Sequence, residues 1–307
     1  MIAQIYRSIN NLYTAMSEGK IYTLRIKGKV LDIANFEYNP IAVGDFVEFT
    51  PYSDNEGLIT KRLDRTSSFT RWNAKLEKNQ TISANMDQVA IVTCSSFPPF
   101  RPKFIDRAIA CTTNADILIV LNKAELGIED EERFKLFETL GFKTIQVSAI
   151  TGYNIDKLVE LLKGKTTAFV GQSGVGKSTL VNRIIQPEKE QITNDVCLKY
   201  NRGRHTTNHS LLLINDDVTI IDTPGVREIL VPLEDEELVK SAFPEFREEC
   251  KYSKCMHIDE NECAVKEDLE NNLIDEDRYN SYLRIVYSLR ERNPKYNRTK
   301  FRKNKQW

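Results

Sequence analysis

Along residues 1–72 the apolar positions come in short alternating sets. Tyr22, Leu24, Ile26 and Val30 fall on even positions, with Gly28 interrupting them. That is the period of a strand with one buried face. Val43-Gly44-Asp45-Phe46-Val47-Glu48-Phe49 forms a second set, opened by the turn signal Asn39-Pro40. Leu58-Ile59-Thr60 forms a third, after the polar turn 53–57. Short strands at this spacing predict an all-β barrel of the OB-fold kind. Residues 73–86 are polar and read as a linker. Then the texture changes. Apolar runs at 89–92, 117–121 and 168–170 read as buried strands, as do Ile145-Gln146-Val147 and Val218-Thr219-Ile220-Ile221. Helical spacing appears between them at 104–110, at Phe134, Leu136, Phe137 and Leu140, at Leu158, Val159, Leu161 and Leu162, and over 179–185. Alternating strands and helices predict a parallel α/β sheet covered on both faces. Beyond it, Tyr279, Tyr282, Leu283, Ile285, Val286 and Leu289 mark one more helix. The expected organisation is an all-β barrel over 1–72, an α/β domain over 73–230 and a mostly α domain over 231–307.

Composition adds little to this. The 307 residues carry a formal net charge of -1, so only local patches can speak for a polyanionic partner. One such patch is scattered over the barrel: Lys20, Arg25, Lys27, Lys29, Lys61, Arg62, Arg65 and Arg71. These read either as a nucleic-acid face or as a solvated spacer surface. The other is the tail, where Arg290, Arg292, Lys295, Arg298, Lys300, Arg302, Lys303 and Lys305 oppose Glu291, with Tyr296, Phe301 and Trp307 interleaved. It suits RNA phosphates and bases, or serves as a solubilising tail. No run approaches the roughly 18 apolar residues of a membrane span, and the N-terminus has no signal-peptide pattern. The expectation is a cytoplasmic monomer whose six cysteines are reduced or metal-bound.

The chemistry sits at the strand ends, where ligands bind in such sheets. Gly171-Gln172-Ser173-Gly174-Val175-Gly176-Lys177-Ser178, followed by Thr179, has the form G-x-x-x-x-G-K-S between a strand and a helix. Its glycines let backbone N–H groups curl around phosphate oxygens at a helix N-terminus. Lys177 supplies charge for the β- and γ-phosphates, and the Ser178 hydroxyl can ligate magnesium. Asn122-Lys123-Ala124-Glu125 comes after the 117–121 strand and is similar to a guanine-reading motif, with Glu in place of the usual Asp. A carboxylate there accepts from two guanine donors that adenine lacks. Ser148-Ala149 resembles the loop whose backbone meets the guanine oxygen. Gly203-Arg204-His205-Thr206-Thr207 resembles switch I and Asp222-Thr223-Pro224-Gly225 resembles switch II. Ser178, Asp222 and Thr207, or its neighbour Thr206, are the candidate magnesium ligands. Gly225 is the candidate N–H donor to the γ-phosphate.

The order is unusual. The base motif and the Ser-Ala loop precede the phosphate loop, which makes the domain a circular permutation of the ordinary GTPase arrangement. The chain therefore leaves this domain just after switch II. The region C-terminal to Gly225 is thus tied to the segment that moves with the γ-phosphate. That region carries Cys250, Cys255, His257 and Cys263. Three thiols and an imidazole suit a closed tetrahedral structural zinc site, against the alternative of clustered free thiols. Cys94, Cys111 and Cys197 read as packing residues.

On the permuted order, the segment 203–207 and the spacing C-x4-C-x-H-x5-C, nearly the whole chain resembles the circularly permuted small-ribosomal-subunit biogenesis GTPases, the RsgA or YjeQ family. The resemblance implies an OB-fold barrel, a permuted G domain and a zinc domain. It implies GTP and GDP as ligands, Mg2+ with GTP, one structural Zn2+, and the small ribosomal subunit with its rRNA as partner. It also implies a late maturation role, with hydrolysis stimulated by the subunit and release after it. The position after Gly225, where many GTPases carry a water-orienting Gln, is Val226. Intrinsic turnover is therefore expected to be slow, with His205 either orienting the water or only shaping its loop, and with Lys177 as the other catalytic candidate. Two competing readings are a nucleotide-gated RNA-binding module with incidental turnover, and an ATP-dependent kinase, which would not predict Asn122-Lys123-x-Glu125.

Overall fold

The computed structural model describes residues 1–9, 11–26, 37–127, 131–185, 210–226, 228–232, 236–247 and 249–293. The first strands β1 (Ile2–Ile9), β2 (Leu12–Ser17) and β3 (Lys20–Ile26) form an antiparallel meander. Two more, β4 (Phe46–Pro51) and β5 (Glu56–Arg62), complete a ring. β5 runs parallel to β3, β4 antiparallel to β5, and β4 returns to β1. The alternation has its counterpart inside: Ile5, Tyr13, Leu24, Val47, Phe49 and Ile59 point inward and form a separate core. Closure leaves this barrel without a free edge. Val30, Gly28, Lys27 and Lys29 lie outside the described residues.

The expected linker over 73–86 is instead a hairpin, of β6 (Ser68–Asn73) and β7 (Lys78–Ala84). Its buried face carries Thr70, Thr81 and Ser83, with the Thr70 and Thr81 hydroxyls 3.0 Å apart. The Thr70 and Thr81 hydroxyls satisfy one another and so can be buried, and a hydropathy pattern does not register them. Arg62 and Arg65, expected among the exposed basic residues, are largely internal. The Arg65 guanidinium bonds Asp45 Oδ1 at 2.8 Å, Glu37 Oε2 at 3.1 Å and Thr81 Oγ1 at 2.8 Å, tying barrel to hairpin.

The α/β region runs β8 (Gln88–Cys94), α1 (Pro102–Ala110), β9 (Thr112–Thr113), β10 (Asp116–Asn122), α2 (Glu131–Thr139), β11 (Lys143–Gln146), α3 (Ile155–Leu162), β12 (Lys165–Gly171), α4 (Lys177–Ile185), β13 (Leu211–Asn215) and β14 (Val218–Asp222). β9 extends the β6–β7 hairpin. The others form a sheet in the order β11-β10-β8-β12-β14-β13, all parallel except β13, which also pairs with β1 at Leu211 and Arg7 and so joins the barrel to this sheet. Side chains alternate between its faces. Val89, Ile91, Ile119 and Leu121 face α1 and α2. Ala90, Val92, Leu118 and Val120 face α3 and α4. From β8 the chain winds outward through β10 and β11, then returns to the other side of β8 as β12. That reversal opens a crevice at the carboxyl ends of β8 and β12.

The C-terminal part holds α5 (Glu237–Lys240), α6 (Ala264–Glu270) and α7 (Glu276–Arg292). Asp275 caps α7, accepting from the Arg278 N–H at 2.9 Å. Tyr282, Ile285, Val286 and Leu289 of α7 pack into the same core as α1 and α2. The junction is held by Arg278, 2% exposed, which bonds Glu245 at 2.7 and 2.9 Å and also Asp106 of α1. The exit from β14 is clamped as well. Leu230 O accepts from Trp72 N at 2.8 Å and Val231 O from Arg292 Nη1 at 3.0 Å. Among the described residues, no helix is long and apolar enough to cross a membrane.

Candidate functional site

The loop between β12 and α4 passes through two left-handed glycines, Gly174 at φ +88° and Gly176 at φ +85°. A Cβ on Gly176 would lie 2.5 Å from Asn122 Nδ2, so the close approach itself requires glycine there. Ser173 and Gly174 form the exposed crest of the loop, Gly171, Gln172 and Val175 are buried, and Ser178 and Thr179 stand in the first turn of α4. Lys177 is 5% exposed. Its Nζ lies 3.5 Å from Asp222 Oδ1 and donates to the Thr223 carbonyl. Burial pushes the Lys177 ammonium below the usual lysine range, and Asp222 only partly offsets it. Thr223 is fixed in turn by its hydroxyl, which donates to Phe169 O at 2.6 Å.

The segment after β14 lies along the loop. Val226 N donates to Gly171 O at 3.2 Å. A Cβ on Gly225 would meet the Ser173 Cα at 3.1 Å. Asp222 and Gly225 therefore both stand against the phosphate-loop candidates.

The base-motif candidates close the other side. Asn122, 2% exposed, donates from Nδ2 to Val175 O at 2.9 Å and accepts on Oδ1 from Ala149 N at 3.1 Å. Lys123 adopts the left-handed conformation at φ 65°, and its Nζ donates to Gly174 O at 2.7 Å and to Phe97 O. Ala124 N donates to Val147 O at 3.0 Å, and Glu125 is exposed on the short 3-10 turn 124–126. The buried Ser148 hydroxyl accepts from Thr151 N at 3.0 Å, which shapes the loop carrying Ala149. Asn122 to Glu125, Ser148, Ala149, Gly171 to Thr179, Asp222 and Gly225 thus meet at one sheet edge. His205, Thr206 and Thr207 lie outside the described residues, as do Cys197 and the tail from 294 on.

Two parts of this surrounding carry little signal in the sequence. One is Thr223, which holds Lys177 by its carbonyl. The other is the loop 95–101 after β8. The Pro98-Pro99 pair at the end of a parallel strand is its only signal.

The second candidate site is the sulfur cluster. The donor atoms of Cys250, Cys255, His257 and Cys263 all lie within 4.8 Å of one another. Cys250 Sγ is 3.5 Å from His257 Nδ1 and 3.9 Å from Cys263 Sγ, and His257 Nδ1 is 3.4 Å from Cys263 Sγ. Tetrahedral zinc at its usual bond lengths needs S···S edges of about 3.8 Å and S···N edges of about 3.6 Å. The residues fit a metal ion. Burial, then contact with the neighbouring thiols, pushes Cys255 up to about 12. A bound cation would favour the thiolate, the form of cysteine that ligates a metal. Glu260 braces the knuckle, accepting from Met256 N and Ile258 N at 2.8 Å each. Cys94 and Cys111 are buried packing residues, as expected.

Known proteins agree with this arrangement. Residues 62–232 match the RsgA GTPase family model and residues 3–59 the RsgA N-terminal domain. The small ribosomal subunit biogenesis GTPase RsgA of Borreliella burgdorferi strain ZS7 is 37% identical over 296 residues, spanning 94% of this chain and 96% of that one. The protein of the same name from a Geobacillus strain is 34% identical, spanning 95% and 99%. The crystal structure of YjeQ from Thermotoga maritima superposes with a TM-score of 0.68 at 31% identity, covering 94% and 98%. YloQ, a circularly permuted GTPase, shares the fold with a TM-score of 0.65 at 23% identity, covering 95% and 96%. With a matching barrel, a matching permuted sheet and relatives this similar along nearly all its length, the chain belongs to the RsgA GTPase family.

Proposed function

We propose that this chain hydrolyses GTP as a late maturation factor of the small ribosomal subunit, binding the subunit and its rRNA and leaving after hydrolysis. The observation that carries the reading is Asn122. One buried amide ties the phosphate loop to the Ser-Ala loop and so sets phosphate and base sites at a fixed spacing. In this reading Gly171 to Thr179 hold the phosphates, Lys123 and Glu125 with Ser148 and Ala149 read guanine, and Gly225 meets the γ-phosphate. Ser178, Asp222 and Thr207 would hold Mg2+, which neutralises charge building on the phosphates when bound. Cys250, Cys255, His257 and Cys263 would hold one zinc as a structural cross-link.

Lys177 stabilises the charge developing on the transferred phosphoryl group. His205 orients the attacking water, since the Val226 side chain has no polar atom for that role. Hydrolysis should be slow alone and faster on small subunits. The test is single-turnover hydrolysis of GTP and ATP, with and without small subunits. The reading expects GTP preference and subunit stimulation, with His205→Ala keeping binding and losing turnover. Equal use of ATP, or no stimulation, would refute it. Val226, whose side chain cannot orient a water, favours a second reading, a nucleotide-gated RNA-binding module with incidental turnover. It expects subunit binding to depend on nucleotide while turnover stays slow on the subunit.

A further inference from the structure

The loop after β8 is anchored on three sides. Ser95 Oγ donates to Gly127 O at 2.6 Å, beyond the base motif. Phe97 O accepts from Lys123 Nζ, within the base motif. Cys94 Sγ donates to Pro98 O at 3.2 Å, and Phe100 N to Ser95 O at 3.2 Å, closing the loop on itself. Its crest leans on the phosphate loop, where a Cβ on Gly174 would meet Pro98 Cδ at 3.7 Å. This is a fixed ledge between Gly174 and Lys123.

The ledge holds its aromatic side chain out in water. Phe97 is 76% exposed, more than any other large apolar side chain among the described residues. Ile150, next to Ala149 in the Ser-Ala loop, is 73% exposed. Isolated exposed apolar groups are ordinary. Here two of them border the same motif: the Phe97 carbonyl accepts from Lys123, and Ile150 follows Ala149, whose N–H donates to Asn122. A nucleotide with its phosphates at Gly174 and its base at Asn122 to Glu125 spans the distance between them with its ribose. The ledge stands at that level.

We infer that Phe97 is a nucleoside-binding residue, which covers the ribose and the adjoining base face of the bound guanine nucleotide. The inference rests on the guanine-nucleotide reading and adds a wall to that site. The chemistry is apolar cover, with the orienting polar contacts left to the motif. It raises the affinity of GDP and GTP alike, because it touches neither the β- nor the γ-phosphate.

The experiment uses the full-length zinc-loaded chain. Titration calorimetry with GDP compares the parent with Phe97→Ala and Phe97→Tyr. Removing the contact should weaken GDP about fivefold to tenfold, and Phe97→Tyr should retain parent affinity. A side chain this exposed can be truncated without loss of the fold, which a melting curve checks. In parallel, Phe97→Trp places an indole on the ledge, and its emission should shift on GDP addition beyond any change in the parent. Unchanged GDP affinity in Phe97→Ala would overturn the inference. So would a Phe97→Trp emission that saturating GDP leaves alone, since that outcome makes the ledge a prop for Lys123 and nothing more. In both cases the parent still binds GDP and the broader reading stands. A parent that binds no GDP would remove both.

Discussion

The two ends of the Asn122 side-chain amide face different loops. Asn122→Ala leaves the Val175 carbonyl and the Ala149 N–H without this partner in a buried place. Each such group costs about 1–3 kcal/mol. The variant should lose stability by that order in urea titration, and GDP affinity should fall by more than about tenfold, the equivalent of 1.4 kcal/mol. A variant with parent affinity would show that the two loops are positioned by something else. Lys177 makes a different prediction, about pH. Burial holds its ammonium below the usual lysine range. A base depressed in this way binds its proton less tightly in the folded chain than in the unfolded one. Its charge therefore opposes folding at neutral pH, and that penalty fades as pH rises through the lowered value. Phosphate binding has the opposite demand, because it needs the charged form. Nucleotide affinity should thus decline with rising pH in a window below the ordinary lysine titration, accompanied by proton uptake on binding. Calorimetry in buffers of different ionisation enthalpy reads that uptake directly. A flat affinity and no uptake across the alkaline range would place the lysine outside the phosphate site.

At the scale of elements, what the sequence disclosed was local chemistry and regular periodicity. The turn from β12 into α4 carries its own glycines, and the strands β8, β10 and β14 are apolar on both faces. These features need no partner to be recognised. The β6–β7 hairpin was hidden because Thr70, Thr81 and Ser83 line its buried side. The ledge at Phe97 was hidden because its anchors, Lys123 and Gly127, come from another strand's loop. The cysteine cluster was legible from spacing, yet its setting was not. α7 belongs partly to the cluster, through Tyr279, and partly to the core beneath α1, through Tyr282, Ile285 and Leu289. This divides the expected effect of metal removal. One zinc per chain should be found by elemental analysis, and Cys255→Ser should lose it. Chelation should expose amides over 249–274 to hydrogen exchange, because a structural metal supplies local folding free energy. The amides of α7 from Tyr282 on should stay protected by the shared core. Exchange that spreads through all of α7 would mean the metal holds the whole region.

Over the whole molecule, the same packing decides where a change in switch II can be felt. The permuted order suggests that switch II pulls on the C-terminal region, since the chain runs directly from one to the other. Two features of the fold work against that route. Ile229 is fully buried, and Leu230 and Val231 are clamped by Trp72 and Arg292, so a shift at Gly225 meets fixed backbone within a few residues. The C-terminal region is also locked to α1 by Arg278, shared between Asp106 and Glu245. Removing one partner of a buried charge cluster costs about 3–5 kcal/mol, so this contact does not open as part of an ordinary switch. On its other side the segment 224–226 borders open space. Pro224, Gly225 and Val226 border a cleft of about 1170 Å³ whose far wall is the barrel loop at Tyr38 to Val43 and whose floor includes Arg71 and Lys78. A ligand can shift a conformational equilibrium only by its differential affinity for the two states, and Pro224, Gly225 and Val226 face the barrel across this cleft. Exchanging GDP for a non-hydrolysable GTP analogue should therefore change the barrel-to-sheet distance and leave the C-terminal region fixed on the sheet. Spin labels at exposed positions test this, with Tyr52 on the barrel and Leu273 before α7 each paired to Lys157 on α3. The Tyr52 pair should respond to the nucleotide and the Leu273 pair should not. Arg278→Met is the control, since it should loosen the Leu273 pair in both nucleotide states. If the Leu273 distance changes with nucleotide in the parent while the Tyr52 distance holds, the covalent path wins over the packed one.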